Sequence, residues 1–399
     1  MVKFAHIADI HLGGWKIPEM ELLNSQTFET AIDTCIKEKV DFVLIAGDFF
    51  DSAMPSIEAL KLAAAKLREL KEEKIPCYLI PGSHDFSASG KTFLDVLHSA
   101  GLCSNVHSVE ELEVFEEEKA IIAGIAGYKT SREQEVIRNV KVPDLSKYKD
   151  KPKICMLHTT IKENCPHGMA ESLETDDLPK GFDYYALGHI HIPFDQKIDG
   201  KHIVYPGPLF PNSFSEIEEL ENGRFVIVDY DKEKKSFNVE TQEIKLKEVV
   251  MIDIDADNKV PEIVTSEILG RIKKDHVEGK IVLLRVKGVL SSGKTSDVDF
   301  KYINKEIEKR GCYAFLKNVS KLESPEFAIK VNIKSDNIEE IEKEVMDKQR
   351  TSGNEFGEVL IGLLESLDIE KYEGEKTGVF EKRVVEEAAK TLGGIIDLQ

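Results

Sequence analysis

Asp41-Phe42-Val43-Leu44-Ile45-Ala46-Gly47-Asp48-Phe49-Phe50-Asp51 is the stretch on which the reading of the fold turns. Phe42 to Ala46 form a short apolar, partly β-branched run, the pattern of a strand buried on both faces. Gly47 ends the run and Asp48 follows at once. A carboxylate at the C-terminal lip of a buried strand is costly to desolvate unless a cation or hydrogen-bond donors meet it. Such an Asp is commonly a helix cap or turn residue. Recurrence of the pattern elsewhere in the chain, with His as well as Asp, gives this one a different meaning.

On the N-terminal side, residues 2–8 have the pattern of a strand with Asp9-Ile10-His11 at its end, and side chains two apart on a strand point the same way. Phe28, Ala31, Ile32, Cys35 and Ile36 keep helical spacing before Asp41. On the C-terminal side, Pro55 and Ser56 open a helix with Ile57, Leu60, Ala64, Leu67 and Leu70 on one face. A strand from Pro76 to Ile80 then runs into Pro81-Gly82-Ser83-His84-Asp85. This βαβαβ alternation implies a parallel sheet whose C-terminal edge carries the polar residues, the usual place for a site in such sheets. Farther on, Lys153 to Leu157 lead to His158, and Asp183 to Leu187 lead to Gly188-His189-Ile190-His191. Further β-like runs, His202 to Tyr205 and Arg224 to Tyr230, suggest a second sheet packed on the first.

The length, 399 residues, calls for two or three domains. No apolar run approaches a membrane span, and Met1 leads directly into an apolar strand with no export signal, so a cytoplasmic protein with no membrane partner is expected. The six cysteines (35, 77, 103, 155, 165 and 312) form no Cys-x-x-Cys pair and suggest neither a zinc knuckle nor a disulfide scaffold. A net charge of −20 argues against a nucleic-acid partner, because phosphate binding draws on basic surface. Its distribution weakens the objection: residues 336–399 hold 17 acidic and 8 basic side chains, almost half of the excess. Divalent cations would moreover reverse the local field at a site.

Asp9, His11, Asp48, His84, His158, His189 and His191 therefore stand at the ends of successive strands. A single His is more often a hydrogen-bonded structural residue than a ligand, and histidines 6, 98, 107, 167, 202 and 276 stay in that class. Five imidazoles and two carboxylates in equivalent positions are hard to explain structurally. Without thiols, the mixture suits Mn²⁺, Fe²⁺ or Zn²⁺ rather than Mg²⁺ alone. Two such ions about 3.5–4 Å apart can clamp a phosphate and lower the pKa of a bridging water. One carboxylate has to bridge them, and Asp48 is the choice.

Asp9-x-His11, Gly47-Asp48-x-x-Asp51, Gly82-Ser83-His84-Asp85, His158 and Gly188-His189-x-His191 resemble the five signatures of the calcineurin-like metallophosphoesterases. Asp9-Ile10-His11-Leu12-Gly13 and Leu187-Gly188-His189-Ile190-His191, with the cap and tail that follow, are similar to one family in particular. It is the nuclease subunit of the double-strand-break repair complex, the meiotic recombination eleven family with its bacterial SbcD relatives. The resemblance covers the first 250 residues by motif and the remainder by layout only. It implies a four-layer α-β-β-α sandwich over residues 1–248, a small α/β capping domain over 249–335, and a helical tail over 336–399. Asp9, His11, Asp48 and His191 would hold one metal, and Asp48, His158 and His189 the other. His84 would assist departure of the 3′ oxygen, with Asp85 orienting its ring. The implied cofactors are two manganese ions. The implied partners are DNA (ends, duplex and single strands), a second copy of the chain, and an SMC-like coiled-coil ATPase gripping 336–399.

Two positions depart from the family pattern. Ser83 stands where an Asn usually ligates the second metal, so it binds directly, acts through a water, or leaves the site weaker. Asp51 stands where archaeal and eukaryotic members often carry His and bacterial ones Asp. The expected function is a manganese-dependent DNA nuclease, a 3′–5′ exonuclease with endonuclease cleavage left open. The alternatives are a DNA-end-binding scaffold with a weakened site and a phosphoesterase for small phosphodiesters. Ser52-Ala53 replaces the Arg-Gly of the protein phosphatases.

In the cap, Val249 to Ile254 and Ile281 to Val286 have strand character, and Ile263 to Ile272 and Phe300 to Arg310 helical character. Ser291-Ser292-Gly293-Lys294-Thr295 lacks the earlier Gly of a phosphate loop and is taken as a plain loop. In the tail, one apolar stripe runs through Phe356, Val359, Leu360, Leu363 and Leu367, and another through Val385, Ala388, Ala389, Leu392 and Ile395. These two helices either fold back on the cap or dock another chain.

Overall fold

The computed structural model describes residues 1–87, 90–128, 132–165, 172–325 and 377–393. In the N-terminal half, strands β1 (Val2–Ile7), β2 (Phe42–Ala46), β3 (Cys77–Ile80) and β4 (Ser104–Asn105) alternate with helices α1 (Pro18–Lys37), α2 (Ile57–Glu72) and α3 (Leu94–Ser99). Next come β5 (Phe115–Glu116), β6 (Ile121–Ile125), α4 (Arg132–Asn139), β7 (Lys153–His158), β8 (Tyr184–Gly188), β9 (Phe194–Ile198) and β10 (Lys201–Tyr205). Helix α5 (Phe214–Leu220) leads to β11 (Gly223–Asp231) and β12 (Ser236–Ile244).

Two six-stranded sheets result, ordered β12-β11-β1-β2-β3-β4 and β5-β6-β7-β8-β10-β9. Strands β1 to β4 are mutually parallel, as are β6, β7, β8 and β10. Alternation along each strand divides its side chains between two cores. Phe42 and Leu44 of β2 face an inter-sheet core with Phe4, Ile154, Met156 and Tyr184, whereas Val43 and Ile45 face a core shared with α1 and α2. Cys155 and Leu157 of β7 belong to a third core on the far side of the second sheet. Helices, sheet, sheet and helices thus form the expected α-β-β-α layers.

Three details differ from the sequence reading. The Arg224 to Tyr230 run joins the first sheet, pairing antiparallel with β1, and not the second. Its alternation fits either sheet, because Phe225 and Ile227 face one core and Val226 and Val228 the other. Helix α1 starts earlier than its apolar spacing suggests, with Pro18 in its first turn. In α2, Ser56 caps the first turn by accepting from the Ala59 N–H, and the buried face runs through Ala59, Ala63, Leu67 and Leu70, leaving Ile57 exposed.

A three-stranded sheet, β13-β14-β15, follows from β13 (Val249–Asp255), β14 (Ile281–Val289) and β15 (Ala314–Glu323), with helices α6 (Pro261–Lys274) and α7 (Phe300–Lys309). Strand β15 was not legible in the sequence. By compactness the chain divides into two units. One is Met1–Asp253 with Leu269–Arg285 and Lys301–Asn318; the other is the described part of Ile254–Ile268, Val286–Phe300 and Val319–Gln399. Within the first, Met20, Leu23, Phe210 and Ile217 pack with Ile281, Leu283, Ala314 and Leu316. Within the second, the Asp257 carboxylate accepts from the Val289 N–H and Ser324 Oγ from the Thr295 N–H. Helix α8 (Thr377–Gly393) matches most of the second tail stripe; the Phe356–Leu367 stripe and Ile395 lie outside the described residues. No helix among the described residues is long and apolar enough to cross a membrane.

Candidate metal centre

The two sheets present the C-terminal ends of β1, β2, β3, β7 and β8 to one seam, where the strand-end residues meet. Asp9, His11 and His191 form one cluster, Asp48, His158 and His189 a second, and His11, Asp48 and His84 a third, each with ligand atoms within 4.8 Å of one another. Atoms about 2.0–2.2 Å from a common ion fit within that span. Asp48 and His11 each belong to two clusters.

Convergence does not come from strand alternation, as the sequence suggested for Asp9 and His11. Strand β1 ends at Ile7, and Asp9 (φ 50°), His11 (φ 45°), Asp48 (φ 45°) and His189 (φ 91°) are left-handed. Such conformations cost non-glycine residues of order 1–3 kcal/mol and persist where the surroundings fix them. Here the fixing bonds are visible: the Asp9 N–H donates to Gly47 O and the His11 N–H to Asp48 O. The Asp9 carboxylate in turn accepts from the His189 N–H at 3.0 and 3.1 Å. Close approach also dictates glycine at position 47 (φ 88°), where a Cβ would lie 2.1 Å from His158 Nδ1.

Hydrogen bonds fix the ring nitrogens. His158 Nδ1 donates to Ala46 O (2.9 Å), and His84 Nδ1 to Asp51 O (2.7 Å), because a carbonyl can only accept. His11 Nδ1 lies 3.2 Å from Asp51 Oδ1, and His191 Nδ1 3.1 Å from Glu216 Oε2. In every case Nε2 is left for the seam. His11 Nε2 and His191 Nε2 stand 3.3 Å apart, so in neutral rings two lone pairs oppose each other. His158 Nε2 is buried with no hydrogen-bond partner, 3.2 Å from Asp48 Oδ2. The same oxygen is 3.8 Å from His11 Nε2, while Asp48 Oδ1 accepts from the His84 N–H at 2.8 Å. Opposed lone pairs, an orphaned imidazole nitrogen and a carboxylate oxygen between two rings are the features a divalent cation satisfies.

Charge follows from the same geometry. Burial alone would raise the Asp48 carboxyl, yet the His158 and His11 charges hold it far below the carboxylate range. Burial would likewise lower His158, but Asp48 and Asp9 push it up to about 10. His189 is lowered to about 4 by burial and the His158 charge. Asp9 is raised by burial.

Ser83 is buried in the Gly82–Asp85 turn, and Gly82 lies against Asp48, where a Cβ would come within 2.2 Å of Asp48 Oδ1. Asp85 does not orient the His84 ring, as the sequence reading held: its oxygens accept from the N–H groups of Phe49 (3.1 Å), Phe50 (3.0 Å) and Gly82 (2.8 Å). It clamps the Asp48 loop to the His84 turn, and burial raises its carboxyl to about 6. Ring orientation falls to Asp51, which braces His11 with its side chain and His84 with its carbonyl.

Sequence reasoning missed Asn212 and Glu216. Asn212 Nδ2 donates to Asp51 Oδ1 (3.1 Å), and the Asn212 N–H donates to Glu216 Oε2 (2.8 Å), the oxygen that meets His191. Ser213-x-x-Glu216 has capping-box spacing, and Ser213 does cap α5. That signal marked a helix start and not a brace for a ligand. His6 keeps its structural assignment, with Nδ1 3.1 Å from Tyr184 Oη and burial lowering it to about 3.

Two facing sheets with a His/Asp seam at their strand ends define a metal-dependent phosphoesterase. The family model for calcineurin-like phosphoesterases matches residues 2–193. Among curated proteins, DNA double-strand break repair protein Mre11 of Thermoplasma acidophilum is 31% identical over 72% of this chain and 77% of its own length. The Archaeoglobus fulgidus Mre11 is 27% identical over 97% of this chain and 89% of its own length. That of Saccharolobus solfataricus is 36% identical over 48% and 50%. The chain belongs to the Mre11 family, and is a metal-dependent phosphodiesterase of the nuclease type with a divalent metal site.

Proposed function

We propose that this chain is the manganese-dependent nuclease subunit of a double-strand-break repair complex, cutting DNA as a 3′–5′ exonuclease in the cytoplasm, with endonuclease cleavage left open. One observation carries the reading: Asp48 Oδ2 lies 3.2 Å from His158 Nε2 and 3.8 Å from His11 Nε2, where a carboxylate could serve two ions at once. Asp9, His11, Asp48 and His191 would hold one Mn²⁺, and Asp48, His158 and His189 the other, with Ser83 beside the second. Bound, the pair would supply Lewis acidity and a water of lowered pKa.

The chain's own residues do the rest. Asp51 O and Asp51 Oδ1 fix the His84 and His11 rings, and Glu216 fixes His191. With Nδ1–H committed to Asp51 O, His84 has Nε2 free, and as the imidazolium it would pass the Nε2 proton to the departing oxygen and become neutral. Asp85 is then a positioning residue for the loop that carries Asp48.

Residues 249–335 form the cap in this reading, and 336–399 dock an SMC-like coiled-coil ATPase, with the nuclease acting as a homodimer. On α8, Val379 and Val385 are exposed. Deleting 352–399 is expected to abolish co-purification with the ATPase while leaving metal binding intact. Cleavage of linear duplex and single-stranded DNA with Mn²⁺ tests the enzyme. His84→Ala is expected to lose about 10²–10⁴-fold. Cleavage seen only in Ser83→Asn would instead make the chain a DNA-end scaffold.

A further inference from the structure

Two aromatic side chains on loops next to the centre, Phe86 and Tyr128, belong to none of its ligand clusters. Phe86 follows the Gly82–Asp85 turn, two residues beyond His84. Tyr128 follows Gly127, where a Cβ would lie 2.4 Å from His158 Cδ2. The two loops are tied together by the Gly127 N–H, which donates to Pro81 O at 2.9 Å. Their rings stack in parallel, with centroids 5.3 Å apart and planes 10° from coplanar. His107 meets Phe86 edge-on at 6.4 Å.

Large aromatic side chains ordinarily earn their place by burial. Among the described residues, neither of these belongs to the three cores of the sandwich, and both are only partly buried. Phe86 is nevertheless only two residues from His84, so their Cα atoms stand within roughly 7 Å of each other.

We propose that the Phe86–Tyr128 pair is a stacking platform for the nucleobase adjoining the phosphodiester under cleavage. The proposal rests on the nuclease reading and adds to it a base subsite of stated chemistry. A π face accepts any base, so the platform holds the terminal nucleotide in place without reading sequence. Because Phe86 follows the turn that carries His84, a base stacked there would bring the adjoining sugar–phosphate bond toward the group that protonates the departing oxygen.

The test uses the full-length chain with Mn²⁺ and two single-stranded oligonucleotides, one with ordinary bases and one abasic at the nucleotide to be released. Wild type is expected to show a KM about tenfold lower for the base-bearing oligonucleotide. Phe86→Leu and Tyr128→Leu, made separately so that a folding defect in one leaves the other informative, are expected to erase that gap by raising KM for the base-bearing strand. Phe86→Tyr, which returns a ring, is expected to restore it. A gap that survives both leucine variants, or its absence in wild type, overturns the platform while leaving the nuclease reading standing. A wild type that cleaves neither oligonucleotide overturns both.

Discussion

Ile154, Met156 and His158 point to the same side of β7, and within those three positions the chain passes from one kind of chemistry to another. The first two belong to the inter-sheet core; the third is a buried imidazole in the metal seam. Mid-strand, the backbone is regular and the contacts are apolar. At the strand ends, Asp9, His11, Asp48 and His189 are left-handed, and buried charges face one another. The sheets thus do two jobs with one set of strands: their middles hold position, and their ends use that rigidity to keep strained, closely packed ionisable groups in place. Substitutions in the two regions should therefore separate stability from chemistry.

The largest effect is expected at Asp48, the carboxylate proposed to be shared between the ions. Asp48→Asn should cut Mn²⁺-dependent DNA hydrolysis by more than about 10³-fold, the scale of losing a principal electrostatic stabiliser. The metal-free chain should lose stability as well, because His158 then keeps a buried charge without the Asp48 partner, so turnover is compared per folded molecule. Substantial residual turnover would break the division. In the core, Phe42→Ala should lower unfolding free energy by about 3–5 kcal/mol while the folded fraction keeps its metal stoichiometry. Chemical denaturation alongside metal titration checks both halves.

A smaller effect is expected one layer behind the ligands. Glu216→Gln keeps the shape but weakens the acceptor for His191 Nδ1, and should reduce Mn²⁺ affinity or turnover by about 10–100-fold. An unchanged enzyme would show that His191 needs no brace.

The smallest is a pH effect. His158 is raised above its ordinary 6.5 to about 10, so the metal-free chain holds that proton at neutral pH. Its ion pair with Asp48 stabilises the metal-free fold fully below about pH 6.5, and that contribution is lost as pH climbs through about 10. If His158 is a ligand as proposed, metal binding expels the same proton, and Mn²⁺ affinity should rise about tenfold per unit from roughly pH 6 to 9. Calorimetry in buffers of different ionisation heat would register the release; a pH-independent affinity contradicts it.

The same contrast explains what was legible in the sequence. Mid-strand residues such as Phe42 to Ala46 repeat a simple pattern, so the sheets and the polar positions at their ends were readable. Sheet membership was less so, because the β11 alternation fits either sheet and only pairing with β1 decides it. Asp9 and His11 were identified as partners for the wrong reason: the left-handed turns that aim them depend on bonds to Gly47 O and Asp48 O, not on strand period. Asp51, Asn212 and Glu216 act through hydrogen bonds between residues up to 161 positions apart, which no local spacing reveals.

The most direct test is crystallographic: anomalous diffraction at the manganese edge from full-length chain soaked in Mn²⁺. Two peaks per chain are expected, with Asp48 contacting both, His158 and His189 on one, and Asp9, His11 and His191 on the other. A single peak, or two that Asp48 does not join, would contradict the bridged centre.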